Sequence, residues 1–148
     1  MPRPTLSIRS HYTETMEITV RTTDLNYGGH LGNDRILALV HEARVAFLAA
    51  HGWSELDLAG RSLIMADAVI MFRGEAFAGD VLQIESAAAE VSRTGFRLCH
   101  RLRCVADDKN IALVETGLVG FDYDKRRVAS WPDDVRSRLE TLAVGDNT

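Results

Sequence analysis

The 148-residue sequence contains only two cysteines, three prolines and an aromatic fraction of 7%. Cys99 and Cys104 are an odd number of positions apart. On one strand they would point to opposite faces, so they cannot easily form a disulfide with each other. Such cysteine usage is typical of a reducing compartment. No apolar run approaches membrane-spanning length, and the first residues lack the apolar core of a signal peptide. We therefore expect a soluble, cytoplasmic protein with no membrane partner.

The sequence also lacks a basic excess, since 17 Lys and Arg face 21 Asp and Glu, a net charge of -4. Proteins that coat nucleic acid derive most of their affinity from such an excess, so we expect no nucleic-acid partner. A local basic patch is still compatible with this balance. Metal-ligand spacing, a phosphate-binding glycine loop and a nucleophilic Ser–His arrangement are all missing. We therefore expect no metal and no cofactor.

Hydrophobic periodicity predicts one strand, one long helix and four more strands. Apolar residues alternate with polar ones over 13–21, as in a strand with one buried face. The helix is expected to begin after Gly32 or Asn33 as N-cap, with Asp34 in its first turn, and to stop at Gly52. The later strands are predicted at 63–72, 81–91, 96–105 and 111–123, and a short terminal helix at about 133–143. The almost continuously apolar run 63–72 predicts a strand buried on both faces.

This order of elements predicts an α+β domain. Strands segregated from a single long helix favour a largely antiparallel sheet wrapped around one long central helix. The length fits one domain over 1–148, with a core at about 13–123.

A polar, glycine-rich loop joins the first strand to the helix and reads Asp24-Leu25-Asn26-Tyr27-Gly28-Gly29-His30-Leu31-Gly32-Asn33. The helix contains His41-Glu42-Ala43-Arg44. Together they resemble the hotdog-fold acyl-CoA thioesterases of the 4-hydroxybenzoyl-CoA thioesterase type. In that family Asp-x-Asp-x-x-x-His-Val-Asn-Asn precedes a helix with Glu-Glu-Ala-Arg. Gly79-Asp80 also resembles the family's strand ending in Gly-Asp, so the likeness covers about 13–123.

The resemblance implies a hotdog fold and hydrolysis of an acyl-CoA thioester to free acid and coenzyme A. It also implies a homodimer or a dimer of dimers with active sites between subunits. The sequence departs from the family at Asn26, where the second acidic residue commonly acts as nucleophile or base. An amide cannot take a proton from water at neutral pH. Gly32 also replaces the first family asparagine, and Gly28 stands where the related acyl-carrier-protein thioesterases have Asn.

Two other functions stay open. A non-catalytic acyl-CoA or acyl-carrier binding protein could keep the pocket and lose the carboxylate at Asn26. A dehydratase on the same fold would need an acid–base pair, which His30 and Glu42 could supply.

Thioester hydrolysis requires donors for the carbonyl oxygen and a way to activate water. The backbone N–H groups of Gly29, His30 and Leu31, where the helix dipole favours negative charge, are the candidate donors. Asn26 is a candidate to hold the water or to donate to the carbonyl, and His30 is a candidate base. For each residue, ordering of the loop is the structural alternative.

Two carboxylates, Glu42 and Asp67, complete the candidate catalytic set of Asn26, His30, Glu42 and Asp67. Each lies in apolar surroundings, where desolvation would raise the carboxyl pKa and make a usable base. The alternative for each is a solvated or ion-paired surface group, and Asp67 also suits a cleft or a subunit interface. Asp24 is expected to order the loop.

The residues expected to bind substrate are Asp24, Tyr27, Gly29, Leu31, Asn33, Arg93 and Thr94. Among these, Arg93 and Thr94 are candidates for the phosphates of coenzyme A, together with the face of Arg97, Arg101 and Arg103. The structural alternative for those arginines is a solvated sheet face.

Overall fold

A six-stranded antiparallel sheet and two helices make up the structure, a computed structural model that describes residues 3–145. The elements are β1 (Glu14–Thr19), α1 (Arg35–Ala50), β2 (Ser62–Phe72), β3 (Val81–Ala89), β4 (Gly95–Cys104), β5 (Asn110–Asp122), β6 (Arg127–Val128) and α2 (Asp133–Leu142). The strand order is β1-β3-β4-β5-β2, and β6 pairs with β5. The α+β class is confirmed, and every predicted strand is present with its ends within two residues of expectation.

The start of α1 differs from the prediction. The helix begins at Arg35, and its N-cap is Asp34, which makes no side-chain cap hydrogen bond. Gly32 and Asn33 are therefore not the cap. The Arg35 N–H donates to the Gly32 carbonyl at 3.0 Å, which closes a turn and delays the helix. The end agrees with expectation, because Gly52 has a φ of 77° just beyond the helix.

Two helices share the core with the sheet: the predicted terminal helix is confirmed as α2, whereas a single long central helix is not confirmed. The α1 helix has 16 residues, and α2 has 10. Phe47 and Leu48 of α1 belong to the same buried cluster as Val135 and Leu139 of α2. Within residues 3–145, no helix is long and apolar enough to cross a membrane.

The prediction that the run 63–72 is buried on both faces is wrong for this chain. The strand β2 lies at an edge of the sheet and pairs only with β5. Its centre, Met65 to Ala68, is exposed, and the register shifts between Met65 and Asp67. Periodicity cannot distinguish a strand with sheet neighbours on both sides from an apolar strand at an open edge. The open edge presents unpaired backbone groups to a partner strand.

Ion pairs with carboxylates hold the arginines of β4. The pairs are Arg97 with Asp67 and Glu115, Arg101 with Glu85, and Arg103 with Glu85 and Asp108. The N-terminal segment lies against the same face, where Arg9 bonds Glu115 and the Tyr12 ring lies 5.3 Å from the Arg101 guanidinium. The charges of these arginines are therefore matched within the chain, which favours the structural interpretation of this face.

A histidine is fully buried on the opposite face of β4. His100 Nδ1 lies 2.7 Å from Ser86 Oγ, while its Nε2 has no hydrogen-bond partner within the described residues. Burial is the main cause that lowers the pKa of His100 to about 3. The folded protein therefore keeps this ring neutral at a pH where an exposed histidine would be charged.

We expect acid to destabilise the fold through His100. The unfolded histidine takes up a proton below about pH 6.5, whereas the folded one does so only near 3. Between these values the free energy of unfolding should fall by up to about 1.4 kcal/mol for each pH unit of acidification. Urea denaturation at about pH 7 and about pH 5 measures the fall, which should be smaller in His100→Gln. Equal falls in both proteins, or an NMR titration of the ring near its ordinary pKa, would contradict this account.

Candidate functional site

The loop between β1 and α1 forms one wall of an open hollow of about 380 Å³. The opposite wall comes from the end of β2, the segment after it and the start of β5. The lining residues are Asn26, Tyr27, His30, Leu31, Asn33, Ile36, Phe72, Gly74, Glu75 and Ile111. The predicted Asn26 and His30 therefore share one site, and Tyr27, Leu31 and Asn33 lie beside them. The loop contributes most of the polar groups of the hollow, and Ile36, Phe72 and Ile111 contribute apolar surface.

Asp24 lies beneath this loop and is buried. Its carboxylate accepts hydrogen bonds from the backbone and side chain of Arg21, and its carbonyl accepts one from the Gly32 N–H. The Arg21 hydrogen bonds are the main cause that lowers the pKa of this carboxyl. The geometry agrees with the expected loop-ordering role, and Asp24 does not line the hollow.

The side chain of Asn26 is oriented by the loop itself. Its Oδ1 accepts hydrogen bonds from the backbone N–H groups of Gly28 at 2.9 Å and His30 at 3.4 Å. Because both neighbours are donors, the amide oxygen must face them. The Nδ2 group is left without an acceptor among residues 3–145, at the wall of the hollow. Asn26 thus serves the loop through its oxygen and offers a donor through its nitrogen.

His30 lies opposite a carboxylate that the sequence analysis missed. Its Nδ1 lies 3.3 Å from the Leu31 carbonyl, and its Nε2 lies 3.9 Å from Glu75 Oε1. Glu75 follows the end of β2, and its side chain is 62% exposed. Glu75 lies between the apolar strand and the Gly79-Asp80 pair that the resemblance marks, but no spacing in the sequence connects it with His30.

The three backbone N–H groups expected to stabilise an oxyanion donate hydrogen bonds to acceptors within the chain. The Gly29 N–H donates to the Asn26 carbonyl, the His30 N–H to Asn26 Oδ1, and the Leu31 N–H to the Ala76 carbonyl at 2.7 Å. These bonds close the turn and join the loop to the segment after β2, so the three N–H groups already have acceptors within the chain. The Asn33 N–H, just before α1, has no acceptor in the part of the chain described.

The two predicted carboxylates lie outside this hollow. Glu42 is exposed on α1 and lines a different depression with Arg21 and His41. Asp67 accepts two hydrogen bonds from Arg97, at 2.7 and 3.1 Å, and these are the main cause that lowers the pKa of its carboxyl. Asp67 is thus an ion-paired group with a side chain that is about half exposed, and Glu42 is exposed.

Arg93 lines a second hollow of about 400 Å³ at the other end of the sheet. We call its four cations the basic cluster: Arg61, Arg93, Lys125 and Arg127. Asp122 is the carboxylate in this hollow, and it accepts hydrogen bonds from the backbone N–H groups of Asp124 and Lys125. None of the four cations forms an ion pair with a described residue. Thr94 lies apart from them, in a groove beside Asp67. No group of three His, Cys, Asp or Glu side chains in residues 3–145 could hold a metal ion.

Comparisons with known proteins identify similar folds. The family model of the thioesterase-like superfamily matches residues 20–139. A 1,4-dihydroxy-2-naphthoyl-CoA thioesterase from Synechocystis is 21% identical over 86% of this chain and 96% of that one, with a TM-score of 0.77. YbaW, a probable thioesterase from Escherichia coli, is 20% identical over 87% and 98%, with a TM-score of 0.70. The PA5185 protein from Pseudomonas aeruginosa is 15% identical over 94% and 97%, with a TM-score of 0.81. A search of curated proteins found no match.

The orientation of the Asn26 amide is testable by stability. Asn26→Asp keeps an acceptor for the Gly28 and His30 N–H groups, so the variant should unfold at nearly the wild-type urea concentration. Asn26→Ala leaves both donors without their partner and should lose about 1 kcal/mol. Equal destabilisation by both substitutions would show that the amide oxygen does not face the loop.

Proposed function

Because the chain belongs to the thioesterase-like superfamily, we propose that it hydrolyses an acyl-CoA thioester in the hollow beside Asn26. One observation carries the proposal: the loop holds Asn26 Oδ1 and leaves Nδ2 as a donor at a hollow that also has apolar lining. Ile36 at the start of α1, with Phe72 and Ile111 across from the loop, suits the hydrocarbon part of an acyl group. The polar wall suits the thioester carbonyl.

The donors for the developing oxyanion differ from those expected in the sequence. We assign this role to Asn26 Nδ2 and the Asn33 N–H, which is placed where the α1 dipole favours negative charge. Removing one such donor typically costs about 3–4 kcal/mol of transition-state stabilisation. Asn26 is therefore proposed as a polarising group and not as a base.

The basic cluster is the proposed site for the phosphates of coenzyme A. Four cations without ion pairs in an otherwise acidic chain form a local anion site. Within one chain it lies far from Asn26, because Ser62 and Phe72 at the two ends of β2 are roughly 30 Å apart at about 3.3 Å per residue. One chain therefore cannot place the thioester and the phosphates of one ligand in these two hollows.

A two-fold dimer through β2 resolves this separation. The exposed edge of β2 can pair antiparallel with the same strand of a second chain. Such pairing places the Ser62 end of one chain beside the Phe72 end of the other. The basic cluster of one subunit then approaches the hollow of its partner. We therefore propose a homodimer in which each substrate spans both chains.

Free-thiol release from short, medium, long and aromatic acyl-CoAs tests the activity. We expect turnover on at least one of them. Asn26→Ala and Asn26→Asp should both lower kcat by about 100- to 1,000-fold, because each removes the donor. Glu17→Gln, an exposed site on β1, is the control and should keep full activity. Tight acyl-CoA binding without thiol release would instead support the non-catalytic binding protein, and faster turnover by Asn26→Asp would indicate a decayed enzyme.

Mixing two inactive variants tests the shared site. Asn26→Ala removes the hollow's donor, and Arg93→Ala combined with Arg127→Ala weakens the basic cluster. In a one-to-one mixture of exchanging dimers, about a quarter of the sites would combine an intact hollow with an intact cluster. Activity should therefore recover to about 25% of wild type at low substrate. Failure to recover, with mixed dimers confirmed by mass spectrometry, would show that each site lies within one chain.

A further inference from the structure

We propose that Glu75 and His30 hold the nucleophilic water between them, with His30 Nε2 accepting its proton. The inference rests on the proposed thioester hydrolysis and assigns a base that Asn26 cannot provide. Both side chains line the hollow, and both lie within reach of the wall that carries Asn26.

The loop fixes which nitrogen of His30 can act as the base. The Leu31 carbonyl can only accept a hydrogen bond, so the Nδ1 atom 3.3 Å away must carry the proton. In the neutral ring the lone pair is then on Nε2, which is the nitrogen on the Glu75 side. The imidazole is therefore oriented as a proton acceptor toward the hollow.

The distance between the two acceptors suits one shared water. His30 Nε2 and Glu75 Oε1 are 3.9 Å apart, which is too long for a direct hydrogen bond. A water that donates to both at about 2.8 Å spans roughly 4–4.5 Å between its acceptors. Only a small shift of the exposed Glu75 side chain is needed. With both hydrogens donated, the oxygen lone pairs of this water are directed at the substrate.

Asn26 and this pair have complementary roles. The Asn26 Nδ2 group can only donate, so it suits the carbonyl oxygen of the thioester. His30 and Glu75 can accept, so they suit the water. The carboxylate that the loop lacks at Asn26 is supplied from the segment after β2.

The reaction balances without a further reactant. The water oxygen forms a C–O bond to the carbonyl carbon as one water proton moves to His30 Nε2, and the carbonyl electron pair moves to oxygen. Glu75 stabilises the resulting imidazolium as an ion pair. The tetrahedral intermediate then collapses, the C–S bond breaks, and the sulfur leaves with the proton from His30. The products are the carboxylic acid and the free thiol, and His30 is again neutral.

The isosteric variant Glu75→Gln tests the inference, because it keeps the shape of the side chain and removes its charge. With the best acyl-CoA from the thiol-release panel, kcat should fall about 100-fold or more, whereas KM and the unfolding midpoint should stay near wild type. Glu17→Gln is the matched control. The double variant with His30→Gln should be scarcely slower than the slower single variant, since both groups act on one water.

The outcomes separate this inference from the proposed function. If wild type releases thiol and Glu75→Gln retains its kcat, the inference is overturned and the thioesterase stands. A loss confined to KM or to stability would also overturn it, because it would show a binding or structural role. If wild type releases no thiol from any acyl-CoA, both fail together.

Discussion

The two hydrogen bonds that Asn26 Oδ1 accepts from the Gly28 and His30 N–H groups are the constraint on which the site depends. They commit the oxygen to the loop and so determine that the free end of the amide is a donor. They also bring the His30 backbone against Asn26, which sets the position of the imidazole at the hollow. A carboxylate at Asn26 could accept the same two bonds, but it would present an acceptor to the substrate. The orientation of the Asn26 amide oxygen therefore determines that this side chain presents a donor, and not an acceptor, to a substrate.

The sequence predicted the strands well because alternation and turn residues are local signals. It failed where the outcome depended on neighbours distant in sequence. The apolar run 63–72 predicts a strand buried on both faces, yet β2 lies at an edge of the sheet, and the apolar side chains of its centre are exposed. The predicted helix start is too early because the bond from Arg35 to Gly32 converts the expected first turn into a separate turn. Both errors arise from tertiary pairing that periodicity does not encode.

In the site, too, residues close together in sequence could be predicted, whereas a partner distant in sequence could not. Asn26 and His30 belong to one short motif, so a pattern could find them together. Glu75 meets His30 only because the end of β2 lies across from the loop, and no spacing rule connects the two residues. Asp67 is a lone carboxylate in an apolar strand, but Arg97, which reaches it from β4 across Gly117 of β5, explains its presence. Apolar surroundings in sequence are thus a weak guide to desolvation, since a residue two strands away can supply the counter-charge.

Charge is distributed in this chain in a way that a net charge of -4 conceals. The arginines of β4 are matched by carboxylates of other parts of the chain, whereas Asp122 is the one carboxylate among the described residues that line the hollow of the basic cluster, and it is itself bonded to backbone N–H groups. The basic cluster lies at one end of the sheet and the hollow beside Asn26 at the other. Within a single chain, the two are too far apart to bind one acyl-CoA. An edge strand that is apolar and unpaired supplies the missing element, because two-fold pairing along it brings unlike ends together. One proposed interface then accounts for three features: the exposed centre of β2, the distance of the basic cluster from Asn26, and the hollow whose described lining lacks cations for the phosphates.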